Sequence, residues 1–227
     1  ANPRTIVVLE TGGPVVMPWL DKVSGVLEAW YAGNGGATAL ARILFGEIDP
    51  SGRLPITFPQ SESQLPRPAL TDAATARAPF HVSYAEGSDV GYRWYDTRKL
   101  TPLFPFGHGL SYASFDWTGF AAAAGDTVTA TVTVTNTGAR DGSDVVQLYV
   151  TPPGGAARLA GFAKIRLRPA ESHSVTLVAE SRTFARFDAT ADLWRIAAGD
   201  YEVSVRASAT DIKAAAHVTL SERTIKP

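Results

Sequence analysis

The chain has 227 residues, 45% of them hydrophobic and 19% charged, with a formal net charge of -1 and a pI near 6.5. That is ordinary globular composition, enough for one large domain or two small ones with a sizeable core. The balanced charge excludes the electrostatic footprint of a nucleic-acid or anionic-membrane binder, and no apolar run is long enough for a transmembrane helix. Cysteine is absent, which excludes disulfides, thiolate zinc sites and a cysteine nucleophile. His81, His108, His173 and His217 lie far apart without metal-ligand spacing, so neither a metal nor a cofactor is expected. The composition is compatible with a bacterial periplasm or exterior and with cytosol.

The chain enters a Val-rich run almost at once and without an initiator Met, as a processed, split or trimmed chain would. Residues 5–9 are apolar and β-branched, and predict a strand buried on both faces. Val23, Val26, Leu27 and Trp30 stand at i, i+3, i+4 and i+7, which predicts a helix with Glu28 solvated beside its apolar face. "GNGG" at residues 33–36 then reads as a turn between two helices; it lacks the Lys-Ser/Thr of a phosphate loop. Leu40, Ile43 and Leu44 mark a second short helix, closed by Gly46 as its C′ glycine. One strand and two helices do not complete a domain, because a buried parallel strand needs sheet neighbours.

Residues 50–115 show little periodicity and hold eight prolines together with Phe80, Tyr84, Tyr92, Trp94, Tyr95, Phe104, Phe106, Tyr112 and Phe115. A segment so aromatic must lie against a surface, and Phe104, Phe106, Tyr112 and Phe115 are expected to be buried. "GHGLS" at residues 107–111 is not a nucleophile elbow, since Ser111 is not central to a G-x-S-x-G. From residue 116 the text alternates. "TVTATVTVTN", "DVVQLYV", "LAGFAKIRL", "HSVTLVA", "ADLWRIA", "AGDYEVSVRA" and "DIKAAAHVTL" are predicted strands separated by turn signals, the pattern of an immunoglobulin-like sandwich with Trp117 and Trp194 in its core.

Hydrolysis of a glycosidic bond needs two carboxyl groups flanking it. The candidates in the first half are Glu10, Asp21, Glu28, Glu47, Asp49, Asp72, Glu86, Asp89 and Asp96. Asp49 precedes a proline and is expected to hydrogen-bond locally within its turn. Glu86 stands among glycine and aromatics in "YAEGSDVGYRWYD", and aromatic platforms suit sugar rings. Glu86, Tyr92, Arg93 and Trp94 are therefore the candidate substrate-binding residues. "VGYRWYD" either stacks a ligand or packs internally, with Arg93 expected to pair with a carboxylate.

Taken in order, "NPRTIVVLETGGPVVMPW", "GVLEAWYAGNGGATALARILFGEIDPSGRLPITFP", "VGYRWYD", "PLFPFGHGLSYASF", "VTVTNTGARDGSDVVQLYV" and "LAGFAKIRLRPAES" resemble the C-terminal part of glycoside hydrolase family 3, the β-glucosidase and β-xylosidase family. The resemblance covers nearly the whole chain, and the pairing of "DPSGRLPITFP" with "FGHGLSY" is its most specific feature. It implies an incomplete α/β sandwich remnant over residues 1–59, a connecting segment over 60–115 and an all-β fibronectin type III-like domain over 116–227. It also implies a retaining, exo-acting β-glycosidase whose nucleophilic Asp sits on an N-terminal barrel and whose acid/base Glu lies upstream of the first strand. No catalytic residue carries over onto this chain. The implied partners are that missing barrel and upstream sandwich portion, in the same or a separate chain, and an oligosaccharide or glycoside. The competing reading is a free-standing carbohydrate-binding or interaction module, supported by the aromatics alone.

Overall fold

The computed structural model describes residues 2–67 and 83–227, so Asp72, Phe80 and His81 lie outside the described residues. The fold is mostly β with few helices, and the chain divides into two compact units. The first comprises residues 1–41 and 56–106, the second residues 42–55 and 107–227.

In the first unit, β1 (Ile6–Leu9) pairs in parallel with β2 (Gly25–Glu28), Ile6 opposite Gly25 and Leu9 opposite Glu28. The helix expected around residues 23–30 is thus a strand. Gly25 disfavours a helix interior, Trp30 has a positive φ of 49°, and pairing with β1 supplies the hydrogen bonds a lone turn could not. Nor is β1 buried on both faces here: Ile6 and Val8 are exposed. Glu28 is not simply solvated either. Its carboxylate accepts from the Trp30 amide at 2.9 Å and the Thr11 hydroxyl at 3.2 Å. The "GNGG" run therefore follows a strand and leads into helix α1 (Gly36–Leu44). That helix ends as its sequence predicts, with Gly46 at φ 75°.

Further along the first unit, Phe58 is 1% exposed, and its amide and carbonyl bond with Phe104 and Leu103. Its ring meets those of Trp30 and Phe104. Helix α2 (Tyr92–Arg98) follows Gly91, where φ is 60°, and stops at Lys99 in the left-handed region. Of the four aromatics expected to be buried, Phe104, Phe106 and Phe115 are half-buried, while Tyr112 is 45% exposed. The Tyr112 phenol nevertheless donates to the Ile43 carbonyl, so its polar end is anchored.

The second unit is built from antiparallel strands. β3 (Phe115–Ala124), β4 (Val128–Asn136) and β7 (Ser172–Ala179) form one sheet. β5 (Gly142–Thr151), β6 (Arg158–Leu167), β10 (Gly199–Arg206) and β11 (Ile212–Leu220) form a second, in the order β11-β10-β5-β6. A short helix α3 (Ser181–Phe184) and a small sheet of β8 (Arg186–Asp188), β9 (Leu193–Ile196) and β12 (Arg223–Ile225) complete it. All seven predicted runs are strands. β4 shows why: Val128, Ala130, Val132 and Val134 point inward at 0–2% exposure, while the intervening threonines point outward. Those inward residues share one core with Val146, Leu148 and Val150 of β5 and Tyr201, Val203 and Val205 of β10. Trp117 and Trp194 pack against that core. Asn136 is fully buried, and its amide is satisfied by donation to the Arg140 and Leu167 carbonyls and acceptance from the Gly138 amide.

Candidate functional site

The candidate residues of the first unit lie around a turn at residues 85–88 and along α2. Glu86 faces Arg67, whose Nη1 donates to both carboxylate oxygens, at 2.9 and 3.2 Å, and also to the Ser83 carbonyl at 3.1 Å. The Glu86 side chain is 4% exposed. Its own backbone amide, and then Arg67, hold the carboxyl below the usual carboxylate range against the opposing push of desolvation. Glu86 is consequently ionised at neutral pH, which suits a fixed anion and not a proton-donating acid. The Arg67 guanidinium also stands 4.9 Å from the centre of the exposed Tyr84 ring, forming a small Glu–Arg–Tyr stack.

Tyr92, Arg93 and Trp94 are consecutive on α2, so about 100° separates each from the next and they cannot share one face. Tyr92 stacks on Phe106 with ring centres 5.0 Å apart. Trp94 donates from Nε1 to the Gln64 carbonyl at 2.8 Å, and the Arg98 guanidinium lies 4.7 Å from its ring centre. Arg93 does not make the expected carboxylate pair: among the described residues it forms no ion pair, and its Nε is buried without a partner. Arg67, Gln64 and Arg98 were not singled out from sequence, and Phe106 was expected only to be buried, not to stack on Tyr92. Arg67 sits between two prolines in text that reads only as loop, and no local pattern marks it as the partner of a glutamate 19 residues on.

The second unit explains the residues that carry the family resemblance. Asp49 does not bond within its own turn as its sequence context predicts. Oδ1 accepts from the Ser111 hydroxyl at 2.8 Å and the Tyr112 amide at 2.7 Å, and Oδ2 accepts from the Ser143 amide at 3.1 Å. The residue before proline is held extended, and here its carboxylate caps distant donors in place of local ones. The Leu54 amide donates to His108 O and the Gly107 amide donates to Leu54 O, each at 2.8 Å. Arg53 reaches Asp144 at 2.9 Å, and Trp117 donates to the other oxygen of that carboxylate at 3.0 Å. Gly109 cannot be larger: a Cβ there would stand 2.3 Å from Gly52 O. "DPSGRLP" and "FGHGLSY" are thus two halves of one interlocked structure. Ser111, spent on Asp49, serves it as a hydrogen-bond donor.

The two motifs thus interlock beside an antiparallel two-sheet core. Residues 1–112 match the glycosyl hydrolase family 3 C-terminal domain, and residues 144–209 match the fibronectin type III-like domain. The chain belongs to glycoside hydrolase family 3. It is 46% identical to a β-glucosidase of Rhizobium radiobacter over 96% of its own length and 28% of that protein. It is 39% identical to β-glucosidase B of Emericella nidulans, over 100% of this chain and 29% of that one. Among solved structures, β-glucosidase 3B of Thermotoga neapolitana, bound to α-D-glucose, superposes with a TM-score of 0.91 at 37% identity, over 99% of this chain and 32% of that one. The chain therefore spans less than a third of the length of these relatives.

Proposed function

We propose that the chain is the C-terminal part of a retaining, exo-acting β-glycosidase of β-glucosidase type, which hydrolyses O-glycosyl bonds. The observation that carries this reading is alignment with β-glucosidases along 96–100% of the chain. Within the polypeptide, residues 1–59 would be the end of an α/β sandwich domain, 60–115 a connecting segment and 116–227 a fibronectin type III-like sandwich. The nucleophilic Asp and the acid/base Glu would lie outside these residues, on a barrel and an upstream sandwich portion.

The state of the carboxylates supports that division. A retaining enzyme needs two carboxyl groups about 5–5.5 Å apart, one of them protonated before it acts. Here Glu28, Glu86, Asp49 and Asp144 are each held by hydrogen bonds or a cation. Glu86, Tyr92, Arg93 and Trp94 remain the proposed substrate-binding residues of the assembled enzyme, the three of α2 acting from different sides of that helix, with glucose the first choice of sugar and xylose or arabinose behind it. A periplasmic or secreted location is proposed; no helix of the described residues is long and apolar enough to cross a membrane.

The test is nitrophenol release from aryl β-glucoside and β-xyloside. The chain alone should release none, and addition of the complementary barrel and upstream sandwich portion should restore turnover. Turnover by the pure chain would sink the proposal, and Glu86→Gln would then be the first variant to assay.

A further inference from the structure

We infer that Asn34 is a site of spontaneous backbone-assisted deamidation, unique among the asparagines of this chain. Asparagine is a thermolabile residue because the next amide nitrogen can attack its side chain. The three asparagines present this chance very differently. Asn2 precedes Pro3, which has no N–H to lose. Asn136 is fully buried, its amide held by the Arg140 and Leu167 carbonyls and the Gly138 amide. Asn34 is exposed in a turn between β2 and α1, is followed by the exposed Gly35, and its side chain makes no hydrogen bond among the described residues. The Gly35 amide donates to no acceptor among the described residues, since the turn closes through Gly36 N to Gly33 O instead. A Cβ on Gly35 would meet nothing within 4 Å, so no neighbouring group crowds the Cα beside the attacking nitrogen. The other place where glycine follows Asn or Asp, Asp141–Gly142, is the reverse. Gly142 lies in β5 opposite Leu167, and a Cβ there would stand 2.4 Å from the Ala113 Cβ.

The chemistry balances without a co-reactant other than water. The Gly35 amide gives up its proton, its nitrogen bonds to the Asn34 side-chain carbonyl carbon, and the bond to Nδ2 breaks, releasing ammonia. Water then opens the five-membered imide at either carbonyl. Opening at the side-chain carbonyl leaves aspartate; opening at the main-chain carbonyl leaves isoaspartate, with the backbone rerouted through the β-carbon. Either product places a new negative charge just before α1, where the helix dipole favours one.

The experiment incubates the intact 227-residue chain in mildly alkaline buffer and follows its tryptic peptides by mass spectrometry. The peptide of residues 23–42 should gain one mass unit and resolve into two isomers, while the peptide carrying Asn136 stays unchanged. Gly35→Ala has room in the fold and should slow the conversion severalfold. The inference is overturned if the peptide keeps its mass in the folded chain while a synthetic peptide of the same sequence converts, or if the Gly35→Ala chain converts as fast as the parent.

Discussion

Arg53 and Asp144 stand 91 residues apart in sequence and 2.9 Å apart in space, with 11% and 8% of their side chains exposed. Asp144 also accepts from the Trp117 indole and from the Val145 amide. Removing one member of so enclosed a pair strands the other, and that cost exceeds the worth of the pair itself. Arg53→Ala is expected to destabilise the second unit by about 3 kcal/mol. Urea unfolding followed by Trp fluorescence measures it; a loss no larger than that of the exposed pair Arg166–Asp141 would show the link to be incidental.

Asp49 offers a graded test. Asp49→Ala leaves three donors without an acceptor and should cost about 2–3 kcal/mol. Asp49→Asn keeps one carbonyl oxygen and should cost less. Hydrogen exchange at the Tyr112 and Ser143 amides should quicken in both variants, most in Asp49→Ala; unchanged protection would mean the carboxylate is not what holds them.

Gly109→Ala forces a methyl against the Gly52 carbonyl and Arg53 and should lower stability by about 1–3 kcal/mol. Gly52→Ala, where the added atom meets nothing, is the matched control and should be close to neutral. Equal melting temperatures for the two variants would contradict the close approach of these loops.

His108 gives the second unit a pH dependence. Burial, then the neighbouring Arg53 charge, push its pKa below the ordinary value of 6.5, with Asp211 opposing. The unfolded chain therefore takes up a proton before the folded one does. Its contribution is complete above about 6.5 and is lost as pH falls below that through the depressed folded value. His108→Gln should flatten the stability profile over that window; a profile as steep as the parent's would assign the slope to other groups.

Much of the β-rich unit was legible because its strands carry their own period: β4 alternates without a break, and the turns around it are marked by glycine, asparagine and proline. β3 was not, since "FDWTGFAAAA" offers weak alternation and bulges around Gly119. The helix expected around residues 23–30 failed because four apolar residues in a short window fit a helical face by coincidence, and pairing with β1 decided the outcome. The site residues were visible as types but not as partners. Nothing local to Asp49 announces Ser143, and nothing local to Glu86 announces Arg67, because those bonds exist only once distant segments meet.

The reciprocal bonds between Leu54 and the Gly107–His108 step have a consequence for how the sequence can vary. They pinch together the two ends of the stretch from 55 to 107, so everything between leaves and returns through one neck. With the neck fixed by its own hydrogen bonds, lengthening those parts of the excursion that lie outside α2 and the Phe58–Phe104 pairing costs little, since doubling a flexible loop adds only about 0.6 kcal/mol of closure entropy. Insertions and deletions in this lineage should therefore accumulate between the two motifs and be rare within them, the excursion drifting in length while its two gateposts stay in register.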